Sequence, residues 1–140
     1  MKLSFSTISL VLFFVLPQVF TFTGCNGQTT SESSTPTAIF ENIDLDRFEE
    51  MRASDDVDIV LLDVRTPGET SEGMIPGALH IDYRAADFAE QIAQLERDKT
   101  YLVYCKSGGH SARASQLMQE LNFSEVYNLE VGYMGWAAAQ

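Results

Sequence analysis

The amino-acid sequence predicts a single α/β domain in which a parallel sheet is covered by helices on both faces. Short apolar runs, of the length of buried strands, alternate along the chain with segments whose apolar residues recur at helical spacing. This alternation is typical of parallel sheets, because a helix usually connects two parallel strands. The length of 140 residues and the hydrophobic content of 45% fit one domain with its own core.

Five runs predict the strands of this sheet. Each is bounded by polar or turn-forming residues, and the first and third are weaker signals than the others. In chain order the runs are Ala38–Phe40, Ile59–Val64, Ala78–Ile81, Tyr101–Tyr104 and Val126–Leu129. Apolar runs without regular polar alternation indicate strands that are buried on both faces.

Three segments between these runs predict helices, because their apolar residues lie three or four positions apart. The sets are Leu45, Phe48 and Met51; Phe88, Ile92 and Leu95; and Ala114, Leu117, Met118 and Leu121. The helix that contains the third set is predicted to begin near Ser111, after a short loop.

Residues 1–24 are predicted to be a signal peptide. Lys2 precedes the apolar stretch Ile8–Phe22, which Pro17 interrupts and which is shorter than the roughly 20 residues that span a bilayer. The segment "FTGCNG" resembles a bacterial lipobox, in which cleavage occurs directly before a cysteine, although Phe22 stands where Leu is usual. We therefore expect lipidation of Cys25, with ordinary secretion and a retained, uncleaved anchor as the alternatives.

Residues 25–37 are predicted to be a flexible tether that carries the lipid, because they are polar, rich in Ser and Thr, and without periodic apolar residues. The protein is accordingly expected in the cell envelope, lipid-anchored on the periplasmic or extracellular side of a bacterial membrane. Anionic lipid would repel the formal net charge of −11, so the acyl chains have to provide the attachment. The same charge argues against nucleic acid as a partner, since binding to phosphate backbones requires clusters of Lys and Arg.

The chain has two cysteines, so Cys105 has no partner within it if Cys25 is acylated. A free thiol in an exported protein indicates reactivity or intermolecular pairing. Cys105 ends a predicted strand, at the edge where open α/β sheets bind ligands. The glycines of the following "CKSGGHS" allow main-chain N–H groups to converge, and the helix that begins after them adds its positive end. Both features favour a thiolate and an approaching anion.

Four motifs together resemble those of a single rhodanese domain. "DVRTPGE", "GMIPGALHI", "YCKSGGHSA" and "GYMGW" follow one another in the order and spacing of that family, over about Ile39–Gln140. The resemblance implies a rhodanese-like α/β domain at residues 38–140, with a five-stranded parallel sheet and helices on both faces. It also implies a sulfurtransferase without metal or organic cofactor, whose donor is a small sulfur-containing anion such as thiosulfate and whose acceptor is a thiol or cyanide.

The resemblance further implies the roles of the site residues. Cys105 matches the nucleophile, which becomes a persulfide in a two-step, ping-pong cycle. The loop that surrounds the sulfur is matched by Lys106, Ser107, Gly108, Gly109, His110 and Ser111. Lys106 and His110 are expected to add positive charge in the same place.

Asp63, Arg65 and Glu69 are expected to hold the loops around the pocket. Glu69 follows Arg65 at a spacing that allows the loop to fold back into a charge-assisted pair. His80 is expected to be a residue at a strand end rather than a ligand.

The sequence departs from the family at two positions. Met74 stands where the family usually has His, and a thioether cannot make that residue's polar contacts. His110 replaces a common Arg, which is permanently charged and forms two parallel hydrogen bonds, so anion capture is expected to be weaker or pH-dependent. Arg113, on the following helix, either adds charge to the rim of the site or faces solvent.

Two other functions remain open at this point. Cysteine phosphatases and arsenate reductases also cradle anions, but their loops place an Arg where this chain has Ser111. A non-catalytic module of the same fold, which carries sulfur or binds a protein, is the second alternative. Retention of Cys105 argues against that module, because binding modules of this fold often lack the nucleophile.

Overall fold

A computed structural model describes residues 38–56 and 58–140 of the chain. The predicted signal peptide, the tether and Cys25 lie outside the described residues. The strands are β1 (Ile39–Ile43), β2 (Ile59–Asp63), β3 (Leu79–His80), β4 (Thr100–Tyr104) and β5 (Glu125–Leu129). The helices are α1 (Leu45–Arg52), α2 (Pro67–Thr70), α3 (Phe88–Ala93), α4 (Gly109–Glu120) and α5 (Gly132–Ala138).

The five strands form one parallel sheet in the order β1-β5-β4-β2-β3. The predicted α/β fold with a five-stranded parallel sheet is therefore confirmed. Strand β4 is the central strand, with two strands on each side. Because all strands run in one direction, their carboxyl ends meet at one edge of the sheet, and the loop after β4 lies in the middle of that edge.

Buried side chains form two core clusters, one on each face of the sheet. Successive residues of β4 alternate between them: Tyr101 and Val103 pack in one cluster, Leu102 and Tyr104 in the other. Helices α3 and α4 cover the first face with apolar side chains that include Ile92 and Met118. Helices α1 and α5 cover the second face, with Phe48 fully buried and Trp136 partly so. The prediction of helices on both faces is confirmed.

Helix α1, which the apolar spacing predicted, is stabilised at both ends by polar side chains. The Asp44 carboxylate accepts a hydrogen bond of 2.9 Å from the Arg47 amide, which satisfies one of the free N–H groups of the first turn. Asp46 in the first turn and Arg52 in the last complement the helix dipole. No helix in the described part of the chain is long and apolar enough to cross a membrane.

The structure corrects several element boundaries. Helix α4 begins at Gly109 rather than near Ser111, because Gly108 adopts the left-handed conformation, with φ of 84°, and is the N-cap. Strand β2 ends at Asp63, one residue earlier than predicted. The sequence did not predict the short helices α2 and α5, which both lie at the edge that carries the site.

Candidate active site

Cys105 directly follows the central strand and is 2% exposed. It packs with the side chains of the α3–α4 core cluster, so its sulfur lies beneath the loop rather than on the surface. An anion was expected to approach this thiolate directly, and the burial of the sulfur does not meet that expectation. The expectation of inward-turned amides is met, as the contacts of the sulfur show.

The loop surrounds the sulfur with hydrogen-bond donors. The Ser111 hydroxyl lies 3.4 Å from Sγ, and the main-chain amides of Ser107, His110 and Ser111 also donate to it. Burial by itself would raise the pKa of the Cys105 thiol, but these hydrogen bonds outweigh burial and lower it below its ordinary value. The arrangement favours the thiolate, the form in which cysteine is a nucleophile.

Gly108 gives the loop its shape. Its positive φ turns the chain from the loop into α4, and a Cβ at this position would overlap the main-chain carbonyl of Glu130. A residue with a side chain would therefore be both strained and without space here. The loop thus packs closely against the turn between β5 and α5.

The β5–α5 turn and the start of α5 are hydrogen-bonded to the nucleophile loop. The amide of Tyr133 donates to the Cys105 carbonyl at 2.7 Å, and the amide of Met134 donates to the Lys106 carbonyl at 3.1 Å. Gly132, with φ of 59°, permits this approach, because a Cβ there would lie 2.6 Å from the Lys106 carbonyl group. The "GYMGW" motif supported the family resemblance, but nothing in its residues indicated that it is hydrogen-bonded to the nucleophile loop.

Asp63 and Arg65 form a buried ion pair at the end of β2. The closest contact between guanidinium and carboxylate is 2.7 Å, and the two side chains are 0% and 2% exposed. Arg65 also donates to the main-chain oxygens of Gly73 at 2.6 Å and Glu69 at 3.2 Å, and its guanidinium lies 3.8 Å from the centroid of the Tyr133 ring. One buried cation therefore joins the end of β2, the connection between β2 and β3, and helix α5.

The predicted pairing of Arg65 with the Glu69 carboxylate is wrong, since Arg65 contacts only the main-chain oxygen of that residue. The carboxylate instead accepts hydrogen bonds of 3.1 Å from both the amide and the hydroxyl of Thr66, at the start of α2. The Thr66 amide is the main cause of the lowered pKa of Glu69. Lys106 Nζ is 3.9 Å from the same carboxylate, a contact that the sequence did not predict.

Lys106 and His110 do not converge, because they line different depressions beside the loop. The first, of about 260 Å³, is named the Tyr133 depression and is lined chiefly by Arg65, Glu69, Glu72, Lys106, Tyr133 and Met134. The second, of about 210 Å³, is named the His110 depression and is lined by Ser107, Gly109, His110 and Arg113. The expectation of one shared positive site is wrong.

His110 is held in place by an aromatic neighbour. Its ring stacks on Tyr83, with centroids 4.9 Å apart and an angle of 15° between the planes. Tyr83 in turn packs edge-on against Phe88 at 5.1 Å. Tyr83 lies in the loop after β3, outside every motif, so nothing in the sequence identified it as a neighbour of the site.

Two further residues, both from the "GMIPGALHI" motif, lie at or just before β3. His80 ends β3, as predicted, and its Nε2 lies 2.7 Å from the Arg65 carbonyl oxygen. Met74 is partly buried in the turn before β3, next to Gly73, whose carbonyl accepts from Arg65. Within the described ranges, no group of three His, Cys, Asp or Glu side chains is placed to hold a metal ion.

Residues 44–139 match the family model of the rhodanese-like domain. The match spans most of the domain and includes the nucleophile loop, both depressions and the β5–α5 turn. The chain belongs to the rhodanese-like domain family.

Individual relatives agree with this family. A sulfurtransferase of Allochromatium vinosum is 33% identical over 86 residues, which are 61% of this chain and 78% of that protein. The thiosulfate sulfurtransferase GlpE of Pseudoalteromonas translucida is 31% identical over 85 residues, which are 61% of this chain and 79% of that protein. A rhodanese-related protein of Thermoplasma volcanium has a crystal structure that is similar, with a TM-score of 0.59 and 31% identity over 71% of this chain and 92% of that one.

Proposed function

We propose that the protein is a rhodanese-type sulfurtransferase that moves sulfane sulfur through a persulfide on Cys105. The observation that carries the proposal is the sulfur at the end of the central strand, surrounded by three main-chain amides and the Ser111 hydroxyl. The family and its relatives named as sulfurtransferases support this class of activity.

In the first half-reaction the Cys105 thiolate attacks the outer sulfur of the donor, for which we propose thiosulfate. The new bond joins Sγ to that sulfur, the S–S bond of thiosulfate breaks, and its electron pair leaves with sulfite. The products are a Cys105 persulfide anion and sulfite, so charge and atoms balance without a redox partner. The converging amides stabilise the negative charge of the outer sulfur, as donors in an oxyanion hole stabilise an oxyanion.

In the second half-reaction a nucleophile removes the outer sulfur and regenerates the thiolate. Cyanide would give thiocyanate, and a thiolate would give a new persulfide on the acceptor. Cys105 is the single cysteine at residues 38–140, so the acceptor thiol has to come from another molecule or from outside the domain. The kinetics should be ping-pong, because donor and acceptor react with two different forms of the enzyme.

The intact mass of the full chain after treatment with thiosulfate tests this proposal. We expect the gain of one sulfur atom, its loss on addition of cyanide, and no gain in Cys105→Ser. Ser115→Ala is a suitable control, because this buried serine donates to the Ser111 carbonyl at 2.9 Å and is not among the donors to the sulfur. An unchanged mass of the wild-type protein, together with no formation of thiocyanate, would refute the proposal.

The burial of Cys105 favours a second candidate, a non-catalytic module of this fold that carries sulfur or binds a protein. Such a module would gain no sulfur from thiosulfate, or would gain it and release none to an acceptor. Phosphatase chemistry has less support, because the buried Ser111 hydroxyl contacts the sulfur at the position where those enzymes have Arg.

We also propose that the chain is exported and anchored to a bacterial membrane through lipid on Cys25. The support comes from the sequence, in which an apolar stretch and small residues precede this cysteine. Incorporation of labelled palmitate by wild-type protein and its loss in Cys25→Ser is the expected result. Incorporation by neither protein would contradict lipidation, and Cys105→Ser is the matched control.

A further inference from the structure

The positive charges of the described residues are mostly neutralised by neighbouring carboxylates. Arg47 pairs with Glu50, for example, and Lys106 lies near Glu69. Among residues 38–56 and 58–140, Arg84, Arg97 and Arg113 have no carboxylate within ion-pair distance, and of these three Arg113 lies beside the nucleophile loop. A free cation beside the nucleophile loop of an acidic chain is available to an anionic ligand.

Arg113 belongs to the wall of the His110 depression. It follows His110 by three positions on α4, so both side chains lie on one face of the helix. Ser107 and Gly109, from the nucleophile loop itself, line the same depression. The stack with Tyr83 holds the His110 ring, so this wall is ordered before a ligand arrives.

The two depressions differ in charge. Among the described residues, no carboxylate lines the His110 depression, whereas Glu69 and Glu72 both line the Tyr133 depression. The cations of the Tyr133 depression are also engaged, Arg65 by the buried Asp63 and Lys106 by Glu69. A dianion is therefore favoured on the His110 side of the loop.

We propose that the His110 depression docks the anionic sulfur donor and that Arg113 provides the permanent charge that the loop lacks at His110. This inference rests on the proposed function, since it specifies where the donor of that reaction binds. Arg113 then determines donor specificity without taking part in bond formation. The alternative that it simply faces solvent predicts no effect on the donor.

Arg113→Gln is expected to lower kcat/KM for thiosulfate by up to about fivefold, the upper limit for one exposed charge interaction, and to leave kcat/KM for dithiothreitol unchanged. In a ping-pong cycle each of these constants reports one half-reaction, so the acceptor is an internal control for folding. Arg113→Lys should retain most of the donor rate. Added salt should lower the thiosulfate rate of wild type more steeply than that of Arg113→Gln.

Arg47→Gln is the matched control, because it removes the same charge from an exposed residue of α1, on the opposite face of the sheet. If Arg47→Gln lowers the donor constant as much as Arg113→Gln does, net charge rather than docking is responsible and the inference is overturned. The inference would also be overturned if Arg113→Gln lowered kcat/KM equally for thiosulfate and for dithiothreitol, or if it left kcat/KM for thiosulfate unchanged.

A binding measurement separates this inference from the proposed function. Cys105→Ser cannot form a persulfide, so calorimetric titration with thiosulfate measures docking alone. We expect the double variant Cys105→Ser, Arg113→Gln to bind thiosulfate up to about fivefold more weakly than Cys105→Ser alone. If wild type gains sulfur but Arg113 affects neither binding nor rate, the inference fails and the function stands. If binding depends on Arg113 but wild type gains no sulfur, the function fails and the docking site stands.

Discussion

Removal of the Ser111 hydroxyl should make the Cys105 thiol a weaker acid. The hydroxyl lies 3.4 Å from Sγ and 3.0 Å from the Gly108 carbonyl oxygen, so one proton is shared between two acceptors. A hydrogen bond to a charged acceptor contributes about 1.5–3 kcal/mol, and this bond belongs at the lower limit because the hydroxyl is shared with a second acceptor. Since about 1.4 kcal/mol corresponds to a factor of ten, Ser111→Ala should lower the thiolate-to-thiol ratio about tenfold at a given pH.

The assay is the thiolate absorbance of the folded protein as a function of pH, with the spectrum of Cys105→Ser subtracted to remove tyrosine. We expect the titration midpoint of Ser111→Ala to lie at higher pH than that of the wild type. Ser115→Ala removes an equivalent buried hydroxyl one turn further along α4 and should leave the midpoint in place. A midpoint of Ser111→Ala that stays in place or moves to lower pH would refute the assignment of this hydroxyl as a donor to the sulfur.

The lowered pKa of Cys105 also makes stability depend on pH. In the unfolded chain the thiol titrates near its ordinary value of 9.0, and in the folded protein it titrates at lower pH. The folded state therefore gains stability from ionisation as pH rises from the folded-state pKa to 9.0, and loses it as pH falls through the folded-state pKa. Urea unfolding of wild type and Cys105→Ser should give a difference in unfolding free energy that grows with pH in this window, and a shrinking difference would contradict the sign.

Three further substitutions test the surroundings of the sulfur. Gly132→Ala should destabilise the protein by about 1–3 kcal/mol and slow persulfide formation, because its Cβ would clash with the main chain of the nucleophile loop. Gly68→Ala has open space around its Cβ and should do neither. Equal effects of the two substitutions would contradict this account. Asp63→Asn should cost about 3–5 kcal/mol in thermal or urea unfolding, because it leaves a buried guanidinium unpaired, whereas the exposed Glu50→Gln should cost less than about 1 kcal/mol. His110→Arg should lower the KM for thiosulfate near neutral pH, and an unchanged or higher KM in a steady-state assay would count against it.

The strands were predictable because a strand that is buried on both faces consists largely of apolar residues. The apolar runs "IVLL" and "YLVY" make up most of β2 and β4, which are inner strands of the sheet. Helix α5 could not be predicted from composition or spacing, since its seven residues contain two glycines and no complete apolar stripe. Its position follows from main-chain hydrogen bonds to the nucleophile loop, which do not depend on side-chain pattern.

The site residues were predictable as a set but not in their arrangement. The chain order places Cys105 and Asp63 at the same sheet edge, because parallel strands end together. The directions of Lys106 and His110 depend on the φ and ψ angles of a loop with a left-handed glycine, so spacing alone could not separate them into two depressions. The stack of Tyr83 on His110 joins the loop after β3 to the first turn of α4, and no local pattern encodes such a contact.

The attachment of the nucleophile loop to the β5–α5 turn has a consequence for biosynthesis. Tyr133 and Met134, whose amides donate to the carbonyls of Cys105 and Lys106, are synthesised after the nucleophile loop. Until those residues have emerged and folded, the thiol should be an ordinary cysteine without its ring of donors. The nucleophile would thus be activated only after the segment that follows β5 has docked against the loop.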